Sequence, residues 1–415
     1  MKSLMLSTYD EWGGAAKAAF RLNKGLQAKG IESSLLVQDK MSDAKEVIGT
    51  QNSLIKLAYG IRTVLGTIPV RLYPNKPVNN FSPALMPDFV ARQVEDIAPD
   101  LVHLHWIGAS FMRLETVNKI KQPIVWTLHD SWPFTGGCHM PYGCIRYQKT
   151  CGFCPVLGSR HEKDLSRSVW QRKIRAWRGL NLTIVTPSRW LADCARSSSL
   201  FHDMRTEVIP NGLDLSIFKP TDKRLARDLL ALPRNKKFIL FGGINSTSDP
   251  NKGFQFLLPA LRSLSARKRQ HDTELVVFGS SAPANAPDFG MKTNYVGRIH
   301  GDLNLARLYS AADLFVAPSM QENLPYTIME AMACGTPCVA FNQGGISDLI
   351  DHEITGYMAQ PFDYNDLAKG IEWILKKDKT RQEISLRCRR KVEEMFALEK
   401  VTARYIELYD TLMQV

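Results

Sequence analysis

Across its 415 residues the chain lacks several features that would each have settled its class. It has no uninterrupted apolar run of the roughly 20 residues needed to cross a bilayer, so a membrane-spanning helix is excluded. The N-terminus shows no charged region, apolar segment and cleavage site in series. Leu4, Met5 and Leu6 enter a strand-like pattern at once, so no signal peptide is expected and the cytoplasm is the expected compartment. There is no low-complexity tract and no internal repeat, which argues against a disordered, fibrous or solenoid protein. No G-x-x-x-x-G-K-[ST] occurs, so there is no Walker-type phosphate loop. No G-x-G-x-x-G follows the first strand pattern either, which argues against a dinucleotide-dependent dehydrogenase. Asp-x-Asp is absent throughout.

Acidic residues are also in short supply. Lys and Arg number 53 against 41 Asp and Glu, a formal net charge of +12, and this excess points to an anionic partner. It is concentrated: no acid occurs from Val47 to Pro87, where Lys56, Arg62, Arg71 and Lys76 sit among Leu54, Ile55, Leu57, Ile61, Val64, Leu65 and Ile68. Two readings fit this segment. One is a helix lying on an anionic membrane surface; the other is a solvated basic face over a core helix.

The chain is too long for one hydrophobic core, and 44% hydrophobic with 23% charged residues is ordinary for a soluble globular protein, so two domains are expected. Short β-rich runs alternate with helical stretches throughout. Strands are predicted near 2–7, 33–38, 101–105, 124–128 and 183–186, then near 238–241, 274–278, 294–296, 314–317 and 337–341. The residues Ala15, Ala18, Ala19, Leu22 and Leu26 recur at helical spacing before Gly30. Such alternation predicts an α/β protein with parallel, doubly wound sheets. The pattern pauses at 208–220, VIPNGLDLSIFKP, where two prolines and an Asn-Gly interrupt it. Open parallel sheets bind ligands beyond the carboxyl ends of their strands, so the residues just after each strand are the candidates.

After the first strand come Gly13 and Gly14 before a helix, a place where backbone approaches a ligand closely and a helix N-terminus favours an anion. After the fourth comes His129-Asp130, and a histidine there can hydrogen-bond a sugar hydroxyl or a developing charge. In the second half, Gly242-Gly243-Ile244-Asn245-Ser246 follows a strand and leads to Lys252-Gly253 before a helix. That composition suits a diphosphate. Finally 318–340, PSMQENLPYTIMEAMACGTPCVA, places Glu322 in a loop and Glu330 about two turns further on, in a helix. Two carboxylates so placed can grip two sets of sugar hydroxyls; taken bare, they also read as a capping acid and a surface acid.

The stretch 318–340 resembles the signature of retaining, two-domain glycosyltransferases of family 4, in which a glutamate, seven residues and a second glutamate precede alanine-rich and Cys-Gly-x-Pro text. The resemblance extends in family order through Gly13-Gly14, His129-Asp130, Pro187-Ser188, Pro210-Asn211-Gly212 and Lys252-Gly253. It implies the GT-B fold: two Rossmann-like doubly wound domains facing a cleft. It divides the chain into an acceptor-binding domain (1–207), a linker (208–220), a nucleotide-sugar-binding domain (221–394) and a terminal helix (395–415) crossing back to the first domain. It also implies roles. Glu330 holds the donor ribose; Glu322, with Asn323, Leu324 and Pro325, holds the donor sugar; Lys252 neutralises the departing diphosphate; and His129 sits beside the donor sugar. Two departures stand out. The family often has Gly-Arg after the first strand of the second domain, where this chain has Gly242-Gly243-Ile244, leaving Asn245, Ser246 or Arg298 to replace the arginine. The usual Gly-Phe-Gly reads Asn323-Leu324-Pro325. Without Asp-x-Asp, catalysis is expected to need no metal, with Lys252 and helix dipoles stabilising the leaving group.

Of eight cysteines, four cluster as Cys138, Cys144, Cys151 and Cys154. In a reducing compartment they read as a structural zinc site, as reduced thiols in a compact loop, or as a redox pair. The expected function is transfer of a hexose from a nucleoside-diphosphate sugar to a glycan or lipid-linked acceptor in surface polysaccharide assembly, with no nucleic-acid partner. Two rival readings are a basic, zinc-braced nucleic-acid-binding protein and a catalytically inactive scaffold of the same fold.

Overall fold

The computed structural model describes residues 1–77, 80–266, 272–282, 285–377 and 380–414. The chain divides into two compact units, residues 1–212 with 401–415, and residues 213–400.

The first unit is built on a parallel sheet of seven strands: β1 (Lys2–Tyr9), β2 (Glu32–Asp39), β3 (Val47–Ile48), β4 (Leu101–Leu104), β5 (Ile124–Thr127), β6 (Leu182–Thr186) and β7 (Thr206–Val208), in the order β3-β2-β1-β4-β5-β6-β7. A parallel strand is covered on both faces, so its residues are apolar throughout while their side chains still alternate. Leu4, Leu6, Leu36, Val102, Leu104, Ile124, Trp126 and Ile184 point into one apolar cluster. Their neighbours Met5, Leu35, Val37, Leu101, Val125 and Val185 point into the other, where they meet Val401, Tyr405, Leu408 and Tyr409 of the terminal helix Leu398–Met413. Val415, the last residue assigned to that helix from sequence, lies outside the described residues.

The second unit carries β8 (Lys237–Gly242), β9 (Thr273–Phe278), β10 (Thr293–Gly297), β11 (Leu314–Ala317), β12 (Cys338–Phe341) and β13 (Gly356–Ala359), ordered β10-β9-β8-β11-β12-β13 and again all parallel. The same alternation places Ile239, Phe241, Leu275, Val277, Leu314, Val316, Val339 and Phe341 in one core.

Three strands have no counterpart among the predicted ones. β3 spans two residues and β7 three, too short to show a period, and β13 opens on a glycine. The break between the units, after Gly212, falls inside the linker 208–220 expected from sequence, of which Val208 belongs to β7 and pairs with β6.

Strand order reverses between β1 and β4 in the first sheet and between β8 and β11 in the second, and it is at such reversals that the following loops splay apart and leave room for a ligand. In the second unit, Asp313 locks the approach to β11. It is buried, and its carboxylate accepts the Phe238 N–H at 2.7 Å and pairs with Arg227, Arg381 and Lys223 at 2.8, 2.8 and 3.0 Å. Burial alone would push the Asp313 carboxyl up; the Lys223 cation, the Phe238 N–H and the two arginines outweigh it and hold it below the usual carboxylate range. Its contribution is therefore complete above the unfolded-chain value of about 3.9 and drains away as pH falls through the lowered folded value. Asp313→Ala leaves three cations without their anion and should cost about 3–5 kcal/mol, read by chemical denaturation at pH 7, with a smaller deficit at pH 3.

Candidate active site

In the first unit the polar residues gather where β1, β4 and β5 end. Gly13, at φ +91°, precedes the helix Gly14–Ala28 without any side-chain cap, so the helix opens on bare backbone. Both glycines line a cavity of about 560 Å3, together with Tyr9, Trp106, His129, Asp130 and His139. His129 is held from behind: its Nε2 shares a hydrogen bond with His105 Nδ1 at 2.9 Å, and the two rings stack. One layer deeper, His103 joins Tyr409 Oη at 2.6 Å and Thr127 Oγ1 at 2.7 Å, while Tyr405 Oη meets Thr127 Oγ1 at 2.9 Å. Burial pushes His103 down to about 3 and His129 down to about 4, and lowers His105 as well. Burial thus disfavours the charged form of all three imidazoles, which suits His129 to hydrogen bonding rather than to charge.

Asp130 is the opposite case. Burial would raise its carboxyl, but His139, the Trp132 N–H and the Trp106 indole outweigh that and keep it ionised. Its Oδ1 accepts the Trp132 N–H at 2.8 Å; its Oδ2 accepts Trp106 Nε1–H at 2.9 Å and His139 Nδ1 at 2.7 Å. His139 in turn meets Ser82 Oγ at 2.8 Å. The carboxylate orients the wall of the cavity and has both oxygens committed.

In the second unit the loops after β8 and β11 are clamped together. The turn Pro250–Lys252 is capped by Asp249. Asn251 then reads the backbone of the other loop: its Nδ2 donates to Gln321 O at 3.0 Å, its Oδ1 accepts Gln321 N–H at 3.1 Å, and its own carbonyl accepts Met320 N–H at 2.8 Å. This brings Lys252 Nζ to 2.7 Å from Glu322 Oε1, both partly exposed to solvent. Glycine is required on both sides of this loop. A Cβ on Gly253 (φ +74°) would lie 1.8 Å from Pro318 O, and one on Gly344 (φ +68°) would lie 2.0 Å from Glu322 O. Pro325 precedes the helix Tyr326–Ala333, Leu324 is buried, and Glu330 is buried in the second turn, where its Oε2 accepts the Tyr309 hydroxyl at 3.4 Å. Gly243 N–H closes the end of β8 on Phe278 O, and Asn245 is exposed at φ +55° in the turn that follows. Gly279 N–H donates to Gly297 O at 2.7 Å, so the ends of β9 and β10 lie side by side, with Arg298 exposed just beyond. The predicted residues thus fall into two groups, Gly13, Gly14 and His129 in the first unit and the remainder of the donor set in the second. Within the second unit Lys252 and Glu322, assigned separate roles from sequence, form one ion pair.

The sequence pattern of Glycosyltransferase Family 4 matches residues 12–217, and that of Glycosyl transferases group 1 matches residues 222–391. The chain belongs to glycosyltransferase family 4. It is 24% identical over 359 residues to a protein named as a colanic acid biosynthesis glycosyl transferase, WcaC of Escherichia coli, a match covering 81% of this chain and 82% of that one. It is 28% identical over 224 residues, 50% of this chain and 54% of the other, to the UDP-Gal:alpha-D-GlcNAc-diphosphoundecaprenol alpha-1,3-galactosyltransferase of Escherichia coli. The match spans about half the length of several curated relatives. Among solved structures, Anabaena HepE in complex with UDP aligns at TM-score 0.66 over 99% of this chain and 100% of that one, at 17% identity. This glycosyltransferase has the GT-B fold.

The sequence reading of this glycosyltransferase passed over His105, Trp106, His139 and Asn251. A trace of the first two was present: His103-Leu104-His105-Trp106 puts two histidines on one side of a strand end. Nothing local marks Asn251 or His139, whose partners lie 70 and 9 residues away. Gly253→Ala must fit a Cβ against a carbonyl in left-handed backbone. It is expected to lower stability by roughly 2–4 kcal/mol in thermal unfolding, and to weaken nucleotide-sugar binding more than Gly60→Ala, which meets open space.

Proposed function

We propose that this glycosyltransferase moves a hexose from a nucleoside-diphosphate sugar to a glycan or lipid-linked acceptor in surface polysaccharide assembly, with retention of configuration. The observation that carries this reading is the Lys252–Glu322 pair, a cation and a carboxylate held 2.7 Å apart on loops that follow β8 and β11 at the reversal of strand order. A ligand with an anionic diphosphate joined to a polyhydroxylated ring matches that pair: Lys252 takes the charge, and Glu322 with the backbone around Asn323, Leu324 and Pro325 takes the hydroxyls. Glu330 is the candidate for the ribose. Gly243, Asn245 and Arg298 complete the donor set, with Arg298, Asn245 or Ser246 in place of the family's arginine. The solved relative binds UDP, and the E. coli relative uses a UDP-sugar and a diphosphoundecaprenol-linked acceptor; the same ligand classes are proposed here.

In the first unit His129, neutral and backed by His105, suits hydrogen bonding to a sugar hydroxyl. Asp130 has both carboxylate oxygens engaged and is unsuited to act as a nucleophile. Same-face attack fits this arrangement. The acceptor hydroxyl oxygen bonds to the anomeric carbon as the bond to the diphosphate oxygen breaks, and the hydroxyl proton passes to that departing oxygen. Lys252 stabilises the charge that develops there, and no divalent cation is invoked.

Thermal stabilisation against a panel of sugar nucleotides should show a shift with one donor that is lost in Glu330→Ala. Lys252→Ala should reduce turnover by about 10²–10³-fold, and a chelator should leave initial rates unchanged. Near-normal turnover of Lys252→Ala, or chelator inhibition reversed by Mg²⁺, would refute the assignment.

The helix Ser53–Arg71 supports delivery of a lipid-linked acceptor. Of the two readings of this segment, the structure contradicts the core helix: only Gly66 and Val70 are buried, while Leu54, Leu57, Ile61, Val64, Leu65 and Ile68 are exposed. Lys56 pairs with Asp39 at 2.7 Å and Arg62 donates to Phe111 O at 3.3 Å, so these cations hold the helix while its apolar side faces outward. No helix among the described residues is long and apolar enough to cross a membrane. We assign this face to the surface of an anionic bilayer, peripherally on the inner side of the plasma membrane. Flotation with phosphatidylglycerol vesicles should capture the wild-type protein, and the double substitution Leu57→Glu, Ile61→Glu should abolish capture with little change in melting temperature. Equal capture of both proteins would sink the assignment.

A further inference from the structure

Four cysteines, distant from the donor residues in sequence and unused by the chemistry above, line a single small void. Cys138, Cys144, Cys151 and Cys154 all line a void of about 10 Å3 in the loop between β5 and the helix Leu165–Trp177, about the room of a single water molecule. All four are free thiols, and three are buried.

Two further features do not fit a cluster of inert thiols. Peptide N–H groups are aimed at the sulfurs: Gly136 N–H donates to Cys151 Sγ at 3.1 Å, and the Val156 and Leu157 N–H groups face Cys154. A neutral thiol sulfur is a weak acceptor, whereas a thiolate gains from every such donor. The second feature is Lys173, fully buried beside the cluster. Its ammonium donates to the carbonyls of Trp132 and Thr135 and lies 4.0 Å from the centre of the Trp132 ring. Asp130 acts on it from a distance with its oxygens already engaged, and Cys138 and Cys151 are the other groups able to answer its charge. A buried ammonium flanked by carbonyls calls for a neighbouring anion.

We propose that Cys138, Cys144, Cys151 and Cys154 bind one zinc ion as a closed structural site, with Lys173 as the buried counter-cation of the resulting tetrathiolate. Zn²⁺ displaces four thiol protons to solvent and leaves a complex of charge −2, which Lys173 and the peptide N–H groups offset. All-sulfur ligation selects zinc over harder cations. Among the described residues no three His, Cys, Asp or Glu side chains stand in metal-holding geometry, and the proposed site requires the sulfurs to move inward over the void they line. The consequence reaches the cavity, because Cys138 adjoins His139, the partner of Asp130. Zinc would pin the loop that aims that wall.

The full-length protein, purified under reducing conditions without chelator, should carry one zinc per chain by elemental analysis. Exchange with Co²⁺ should give sulfur-to-cobalt charge-transfer bands and the visible bands of a tetrahedral site. Cys138→Ser and Cys154→Ser should each lose the metal, and Lys173→Met should keep all four ligands but weaken zinc retention about 10–100-fold in a competition titration. If the cysteine variants fail to fold, the wild-type cobalt spectrum decides alone. A folded, reduced wild-type chain that takes up neither zinc nor cobalt, or one with a disulfide among the four, overturns the site. Wild-type affinity in Lys173→Met overturns the counter-cation role.

Discussion

A parallel strand cannot return on itself; it needs a crossover, and every crossover leaves the sheet at the same edge. This one constraint organises both units. It buries the strands on two faces, which is why they read as apolar runs, and it sends the loops after β1, β4 and β5, and after β8 and β11, out on one side of each sheet. Residues as far apart in sequence as Lys252 and Glu322 become neighbours because the strands before them end there.

Polar groups behind these loops do most of the positioning. In the second unit, Asn251 matches backbone donor and acceptor of the neighbouring loop, and Asp313 gathers three cations below β11. In the first, a chain of hydrogen bonds runs from Tyr405 and Tyr409 through Thr127 and His103, with His105 packed at a tilt against His103 and bonded to His129. The terminal helix thus supplies two hydroxyls to the layer behind the histidine. Burial in this layer keeps the imidazoles neutral, and the same burial makes the Asp130 carboxylate depend on its donors. Two adjacent residues, His129 and Asp130, so end one neutral and one ionised: hydrogen-bond donors outweigh burial at Asp130, while at His129 burial outweighs the nearby Asp130 charge.

The outward face of Ser53–Arg71 shows how a local pattern can leave two outcomes open. Apolar residues mixed with cations, and no acids, suit a core helix or a surface helix equally. Ion pairing of Lys56 with Asp39 and the bond from Arg62 to Phe111 turn the charged side inward. Charge pairing with the rest of the unit, not hydrophobicity, decides which way the helix faces.

The alternating pattern of β-rich runs and helices was enough to read two parallel α/β sheets, most of their strands, the loops that carry Gly13, Gly14, His129, Lys252 and Glu322, and the helix that carries Glu330, because periodicity and strand-end position are local properties of the chain. The same pattern missed β3, β7 and β13, which are two to four residues long and exist through pairing with a neighbour. It also could not show that Lys252 and Glu322 form one pair, that Asn251 holds the loops together, or that four cysteines line one void. Those facts depend on contacts between segments tens of residues apart. Sequence spacing carries no information about such distances until the crossovers have folded, so tertiary structure alone decided them.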